Sequence, residues 1–193
     1  MHSIARSPTQ VEVVEAGLEL GKRLITALHY IDLKSPSLLE KVTRVVAYDS
    51  FDGWHQNSLT EVERSINAHN ARIWNRAITP DSLASIYAKI LSPEILEKLV
   101  IAEGWLPDSL TASTNVSFLS LDLNYVGPEI RTFQAIRTQL SADATVLLDD
   151  YSTSPKYEAH WTNWNKVASD FGTEIICLPT GQGIFYPPTP AER

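Results

Sequence analysis

Acidic side chains follow two short apolar runs of this sequence. Asp122 comes directly after the run 118–121, and Asp149 and Asp150 come directly after the run 145–148. If both runs are neighbouring parallel strands, these carboxylates meet at the carboxyl edge of a sheet, where ligands bind in open α/β sheets. Carboxylates this close repel one another unless a cation joins them, and their oxygen atoms suit Mg²⁺, which would fix two hydroxyl groups and make one more acidic. The alternative is that Asp149 and Asp150 are loop acids or helix caps without a metal.

A glycine-containing turn lies between the first apolar run and the first helical stretch. Gly17 and Gly21 allow a ligand to approach the backbone, and the helix that follows offers its N-terminal amide groups. Glu15 stands where the dinucleotide fingerprint G-x-G-x-x-G has its first glycine, and its carboxylate would repel a pyrophosphate. A cationic ligand therefore suits this turn better, although a purely structural tight turn explains the same residues.

Asp49 ends the second apolar run. In nucleotide-binding α/β sheets, an acid at this place accepts hydrogen bonds from a ribose diol. The spacing from Gly21 exceeds the ~20 residues of a compact dinucleotide-binding unit, and we attribute the difference to a loop around Pro36. Taken alone, Asp49 is equally well explained as a turn acid.

Two histidines follow the acidic loops. His55 comes after Asp49 and His160 comes after Asp149. An imidazole titrates near neutral pH, so either could take a proton from a hydroxyl group. Asp122 is the other candidate base, and a metal ion alone would also activate a hydroxyl group.

Four tryptophans lie near these segments. Aromatic walls bind sugar faces and sulfonium cations. The spacing of Trp161 and Trp164 on one helix instead predicts core packing for that pair. The other two are Trp54 and Trp105.

The elements that position these residues follow from the hydrophobic pattern. Short β-branched runs alternate with stretches whose apolar residues recur every three or four positions, which is typical of βα units. We predict strands at 11–15, 42–48, 99–102, 118–121 and 145–148, the last three buried and parallel. We predict helices on the stretches 20–28, 128–140 and 161–171.

Two further segments have their own patterns. Residues 59–98 contain two helix starts, each with a proline at the first helical position followed by an acid, and predict a helical insertion or lid after the second strand. The runs 175–178 and 184–186 are joined by a connection too short for a crossover helix, so they predict an antiparallel hairpin. We expect residues 1–193 to form one domain with a frayed tail at 187–193.

Composition excludes several classes of protein. The chain has 193 residues, of which 44% are hydrophobic and 20% charged, and these values argue against disorder and disulfide-rich scaffolds. The net charge of −7 leaves no basic surface for nucleic acid or an anionic membrane. A single cysteine, Cys177, and no visible secretion signal predict a cytoplasmic protein.

Five pieces of the sequence stand in order at the expected strand ends. Together they resemble class I S-adenosylmethionine-dependent methyltransferases, in particular the macrocin O-methyltransferase group, which acts on sugars of macrolide antibiotics. The resemblance covers residues 11–186. Its pieces are 15–21, 48–53, 103–110, 120–125 and 147–151.

The resemblance implies an α/β fold with a doubly wound, mostly parallel sheet of seven strands whose last strand is antiparallel. Glu15, Gly17 and Gly21 would line the methionine end of S-adenosylmethionine, and Asp49 would hold its ribose. Ser50 and the turn formed by Gly104 and Trp105 would border the adenine. The full set of cofactor-binding residues is then Glu15, Gly17, Gly21, Asp49, Ser50, Gly104, Trp105 and Asp122.

The trio Asp122, Asp149 and Asp150 resembles the metal site of the sugar O-methyltransferases. The sequence departs from the D-x-D-x-Y pattern of that group, because Asn124 occupies the second acidic place. Ser120 stands where a histidine often precedes the motif.

We therefore expect methyl transfer from S-adenosylmethionine, with Mg²⁺, to a hydroxyl oxygen of a small molecule such as a sugar or natural product. Asp122 or His160 would act as the base, and residues 59–98 would cover the acceptor.

One alternative is a non-catalytic methyltransferase-like protein that binds a metabolite or a partner. A nicotinamide-dependent oxidoreductase is another, and Glu15 argues against it. We expect no nucleic-acid or membrane partner, and we expect a homodimer.

Overall fold

Strands and helices alternate along the chain. The structure is a computed structural model that describes residues 1–53, 61, 78–153 and 157–188. The strands are β1 (Val11–Ala16), β2 (Val42–Asp49), β3 (Leu99–Glu103), β4 (Val116–Leu121), β5 (Leu140–Leu148), β6 (Ile176–Cys177) and β7 (Gly183–Phe185). The helices are α1 (His2–Arg6), α2 (Lys22–Lys34), α3 (Pro36–Lys41), α4 (Pro80–Tyr87), α5 (Pro93–Lys98), α6 (Val126–Ile136) and α7 (Glu158–Asp170). None of the helices in these segments is long and apolar enough to cross a membrane.

The seven strands form one sheet in the order β3-β2-β1-β4-β5-β7-β6. Strands β1 to β5 are parallel, and β7 runs antiparallel to both β5 and β6. The predicted sheet class and the antiparallel terminal hairpin are therefore confirmed. The strand order reverses between β1 and β4, and open α/β sheets bind ligands at the carboxyl end of such a switch point.

The register brings the carboxyl ends of the parallel strands to one level. Ala16 pairs with Tyr48 on one side and with Leu121 on the other. Beyond the strands, the Asp122 amide donates to the Ala16 carbonyl at 2.8 Å, and the Asp149 amide donates to the Leu121 carbonyl at 3.0 Å. The loops after β1, β4 and β5 therefore start side by side.

Apolar side chains cover both faces of the sheet. On one face, α2 buries Leu24, Leu28 and Ile31, which belong to the same core cluster as Val13 and Val45. On the other face, the Phe133 ring lies edge-on to Trp164 at 5.6 Å and to Phe185 at 5.5 Å. Such aromatic pairs add about 0.5–1.5 kcal/mol each beyond the burial of their area, so they help to hold α6 and α7 on this face of the sheet.

The predicted helix starts before β3 are confirmed. Thr79 caps α4: its side chain accepts a hydrogen bond from the Ser82 amide at 3.2 Å, and the Ser82 hydroxyl accepts one from the Thr79 amide at 2.9 Å. Leu83 and Tyr87 of α4 and Ile95 of α5 are buried in the core cluster on the sheet. The described part of the segment 59–98 therefore packs against the sheet.

Several predictions fall outside the described residues. They concern Trp54, His55, the parts of the predicted lid at 59–60 and 62–77, and the tail at 189–193. The lid prediction for those parts stays a prediction.

Two predicted boundaries are wrong. Pro36 starts helix α3 instead of marking a loop, because its fixed φ suits the first helical position. Leu140 begins β5 instead of closing the preceding helix, since α6 ends at Ile136 and a short 3₁₀ turn follows.

Two burial predictions are also wrong. Strand β3 is only partly buried, with Val100 38% exposed, because it lies at the edge of the sheet beside β2 alone. Trp161 is 51% exposed, since the buried face of α7 consists of His160, Trp164 and Ala168. Trp161 is one residue, about 100°, away from that face.

Gly17 permits the close approach of two strand ends. Its φ is +89°, and a Cβ at this position would lie 1.8 Å from the backbone oxygen of Asp122. Gly172, after α7, has a similar φ of +68°, but no atom lies within 4 Å of its Cβ position. Both glycines thus adopt a left-handed backbone, and only Gly17 is also sterically required.

Gly17→Ala should destabilise the protein more than Gly172→Ala does. The control Gly172→Ala adds only left-handed backbone strain, about 1–2 kcal/mol. Gly17→Ala also brings its methyl group too close to the backbone of Asp122, and steric overlap of this kind costs about 1–3 kcal/mol more. Urea unfolding of both variants measures the difference in the free energy of unfolding. Equal losses would contradict the close approach of β1 and β4.

Candidate functional site

A cleft of about 270 Å³ lies at the carboxyl edge of the sheet, where the strand order reverses. This volume is close to the lower limit of ordinary small-molecule pockets. Pro128 and Arg131 of α6 complete one side of the cleft. Six of the eight predicted cofactor-binding residues line it, namely Gly17, Asp49, Ser50, Gly104, Trp105 and Asp122.

The Asp49 carboxylate accepts hydrogen bonds from backbone amides in the loops after β1 and β2. One carboxylate oxygen accepts a hydrogen bond from the Glu19 amide at 2.7 Å, and the other accepts one from the Phe51 amide at 2.9 Å. The Ser50 hydroxyl donates to the Gly53 carbonyl at 2.6 Å. Because each carboxylate oxygen can accept more than one hydrogen bond, Asp49 can still bind hydroxyl groups of a ligand in the cleft.

A sharp turn after β3 forms a further part of the cleft wall. Gly104 has a φ of +143°, and a Cβ there would lie 2.6 Å from the Cβ of Ser109. The Gly104 amide donates to the Asp49 carbonyl at 2.9 Å. This turn places Trp105 and Leu106 on the cleft wall, where they offer an apolar surface.

The other two predicted cofactor-binding residues do not line the cleft. Gly21 precedes α2 with a φ of +60°, and its Cβ position is filled by the hydroxyl of Tyr87 at 1.5 Å. Glu15 is buried, and its carboxylate accepts a hydrogen bond from Arg23 at 3.1 Å. Gly21 thus serves the packing of α4 on α2, and Glu15 belongs to an ionic cluster beside the cleft.

Arg23 joins carboxylates from three strand ends. Its Nη2 atom lies 3.1 Å from Glu15 Oε1 and 2.6 Å from Asp122 Oδ2. Its Nη1 atom contacts Asp149 Oδ1. Although burial disfavours the charge, these carboxylates raise the pKa of Arg23 further above its ordinary value, so its guanidinium stays charged.

Two neutral amides complete the hydrogen bonding of these acids. Asn124 Nδ2 donates to Asp122 Oδ1 at 3.3 Å, and Gln182 Nε2 donates to Asp149 Oδ1 at 2.6 Å. Each of the two aspartates therefore binds the guanidinium and one side-chain amide.

Asp150 and His160 lie in a buried cluster between α6 and α7. Asp150 hydrogen-bonds to Tyr157, whose pKa is raised by burial and by that carboxylate. His160 Nε2 lies 3.8 Å from Glu129 Oε1, and its ring packs edge-on against Tyr157 at 5.0 Å. His160 does not line the cleft, whereas the other predicted base, Asp122, does.

The predicted Mg²⁺ site at Asp122, Asp149 and Asp150 is not supported. Within the described ranges, no group of three or more His, Cys, Asp or Glu side chains could hold a metal ion. The Arg23 guanidinium lies between Asp122 and Asp149, and Asp150 bonds to Tyr157 instead. These residues do not fit a divalent metal, because an arginine already supplies the cation.

Arg23 and Gln182 are site residues that sequence reasoning missed. One signal for Arg23 was present: Lys22 and Arg23 begin α2 with no acid in the first turn. Cations are unfavourable at a helix N-terminus, so a basic pair there indicates a compensating anion nearby. Nothing in the local sequence distinguishes Gln182, which reaches Asp149 only through the β6–β7 hairpin.

Burial raises the pKa of Asp122 to about 8. Arg23 opposes this shift, whereas Asp149 and Asp150 add to it. Burial also raises the pKa of Glu15. A carboxylate with a pKa near the working pH is an efficient general base, so Asp122 has the place and the proton affinity for that role.

Comparison with known proteins gives matches in structure alone. No family model and no curated protein match the sequence. The O-methyltransferase NovP is 18% identical, with a TM-score of 0.74 over 97% of this chain and 76% of NovP. The calicheamicin methyltransferase CalS11 is also 18% identical, with a TM-score of 0.70 over 96% of this chain and 74% of CalS11. The chain has the class I methyltransferase fold.

The resemblance recognised in the sequence motifs is thus confirmed at the level of the fold. A second structure describes CalS11 as a TDP-rhamnose 3′-O-methyltransferase. An rRNA methylase from Streptococcus thermophilus shares the fold at 9% identity, with a TM-score of 0.54 over 97% of this chain and 92% of that protein. Because this one fold serves such different acceptors, the acceptor has to be argued from the site.

The raised pKa of Asp122 should make stability depend on pH. A carboxyl whose pKa is higher in the folded state loses stability as pH rises from its unfolded value, near 4, to its folded value, about 8. The free energy of unfolding of the wild type should therefore fall across this range relative to Asp122→Asn. Denaturant unfolding at several pH values measures the difference, and a constant difference would contradict the shift.

Proposed function

We propose that this protein transfers a methyl group from S-adenosylmethionine to a hydroxyl oxygen of a small molecule. The observation that carries the proposal is the convergence of Gly17, Asp49, Gly104, Trp105 and Asp122 on one cleft. These residues come from loops after four different strands, and the cleft lies at the switch point of a methyltransferase fold. Such convergence of separate motifs is expected for a binding site and not for isolated turn residues.

The cleft residues fit the parts of the cofactor. The Asp49 carboxylate can accept hydrogen bonds from ribose hydroxyl groups, and Trp105 offers an aromatic surface for a base or a cation. When bound, S-adenosylmethionine supplies an electrophilic methyl group whose transfer to oxygen leaves neutral S-adenosylhomocysteine and releases the hydroxyl proton.

The chain's own contribution is positioning and removal of the proton. Asp122 lines the cleft and has a pKa of about 8, so its ionised form can accept the hydroxyl proton near neutral pH. Holding the two reactants in an attack geometry supplies much of the remaining rate.

A small polar acceptor is the class that the observations favour. NovP and CalS11 are O-methyltransferases, which supports an oxygen acceptor, and CalS11 acts on a TDP-sugar. The net charge of −7 disfavours nucleic acid, because a polyanion would meet a like-charged surface. We therefore propose a sugar or natural-product hydroxyl group as the acceptor.

Titration calorimetry with S-adenosylhomocysteine tests the cofactor site. We expect binding to the wild type and about 10- to 100-fold weaker binding to Asp49→Ala, because a hydrogen bond to a charged group contributes about 1.5–3 kcal/mol. Asp52→Ala is the matched control, since Asp52 is an exposed acid of the same loop and should leave the affinity unchanged.

The possible outcomes separate the candidate functions. No binding to the wild type would contradict the methyltransferase proposal, and binding of a reduced nicotinamide instead would favour an oxidoreductase. Binding without methyl transfer to any of a panel of sugar and phenol hydroxyl acceptors would favour a non-catalytic, metabolite-binding protein.

Asp122→Asn should lower kcat by about 10²- to 10⁴-fold, the usual contribution of a general base. Affinity for S-adenosylhomocysteine should change much less. In the wild type, kcat/KM should rise with pH and level off above the pKa of Asp122, about 8. A pH-rate profile of wild type and variant measures both effects, and an unaltered profile in the variant would assign the base elsewhere.

A further inference from the structure

Three carboxylates surround the guanidinium of Arg23 beside the cleft. Glu15 is the penultimate residue of β1, Asp122 and Asp149 directly follow the strands β4 and β5, and the sheet register places the three side chains together. Their mutual repulsion has to be balanced by a positive charge. Arg23 supplies that charge with both terminal nitrogens of its guanidinium.

The side chain of Arg23 is anchored on one side and accessible on the other. The Glu15 carboxylate is 6% exposed, whereas the Arg23 side chain is 34% exposed. Glu15 therefore fixes the guanidinium from the buried side. Asp122 and Asp149 bind it nearer the surface, and of these two Asp122 also lines the cleft.

The side-chain amides of Asn124 and Gln182 also suit an arginine bound between the two aspartates. Asn124 donates to Asp122, and Gln182 donates to Asp149. An aspartate at position 124 has no donor in its ionised form and would repel Asp122. The groups that Asn124 and Gln182 turn toward the two acids are therefore hydrogen-bond donors, as suits carboxylates held by an arginine.

We propose that Arg23 is a positioning residue that takes the place of a divalent cation at the acceptor end of the cleft. The proposal rests on the proposed methyl transfer. Arg23 holds Asp122 and Asp149 in fixed geometry through directional hydrogen bonds, and its charge stabilises the ionised form of Asp122. A guanidinium has no lone pair with which to accept a proton, so the acceptor's proton moves to the Asp122 carboxylate and no metal-bound hydroxyl is needed.

Binding of Mn²⁺, followed by electron paramagnetic resonance, tests the replacement directly. The wild type should show no saturable Mn²⁺ binding that depends on Asp149. Arg23→Met leaves the three carboxylates without a cation and should gain a site with at least tenfold higher affinity, which Mg²⁺ competes for and Asp149→Asn removes. Arg6→Met is the matched control, because Arg6 forms an ion pair with Asp143 at 2.8 Å away from the cleft, and it should gain no site.

If Arg23→Met does not fold, a second variant and the wild type still test the proposal. Arg23→Lys keeps the positive charge and should remain free of Mn²⁺. Saturable binding to the wild type that Asp149→Asn abolishes would overturn the proposal, whatever the variants do. A folded Arg23→Met protein that binds no Mn²⁺ would also overturn it, because the carboxylates would then not form the equivalent of a metal site.

Activity assays separate this proposal from the function on which it rests. Wild-type transfer should be unchanged by EDTA, should fall at least 100-fold in Arg23→Met, and should be partly restored in Arg23→Lys. Loss of wild-type transfer in EDTA would overturn the role of Arg23 and leave the methyltransferase function intact. Failure of the wild type to bind S-adenosylhomocysteine would remove the function, while the Mn²⁺ result would still decide whether Arg23 replaces a cation.

Discussion

The register of the parallel sheet forces negative charges together. Strands β1, β4 and β5 end at one level, so the carboxylates of Glu15, Asp122 and Asp149 converge at the point where a ligand binds in this type of sheet. Arg23, from the first turn of α2, compensates them. Because Arg23 is the shared partner of all three carboxylates, this cluster couples the start of α2 to the sheet edge.

This coupling also explains why the glycine turn has its shape. Gly17 lets the chain leave β1 against the backbone of Asp122, and Gly21 lets Tyr87 pack at the start of α2. Both contacts bring Arg23 to the sheet edge. The turn is therefore required by packing, and this structural role is compatible with a ligand-binding role for Gly17, which lines the cleft.

The carboxyl edge of the sheet divides into two parts with different chemistry. The cleft between the loops after β1, β2 and β3 combines the Asp49 carboxylate with an apolar wall, which suits an adenosine group. The part beyond Asp122 is ionic and is held by Arg23. Asp122 belongs to both parts, so it is the residue through which cofactor and acceptor would meet.

Much of this protein follows from local sequence. The alternation of strands and helices, the antiparallel hairpin and the helix starts at Pro80 and Pro93 depend on short-range patterns and turn chemistry. The convergence of Asp49, Gly104 and Asp122 was predictable for a related reason, since each ends a strand and parallel strands present their carboxyl ends together.

The tertiary structure alone decided the partners of the charged groups and the exposed faces. Trp161 and Trp164 have nearly the same helical spacing to the apolar positions, and only the face with which α7 packs buries one and exposes the other. The cation expected between Asp122 and Asp149 is the guanidinium of Arg23, a residue 99 positions away from Asp122 in the sequence. Hydrophobic periodicity and turns are local properties and can be read from neighbouring residues, whereas ion pairs across strand ends depend on strand order and register, which only the folded chain determines.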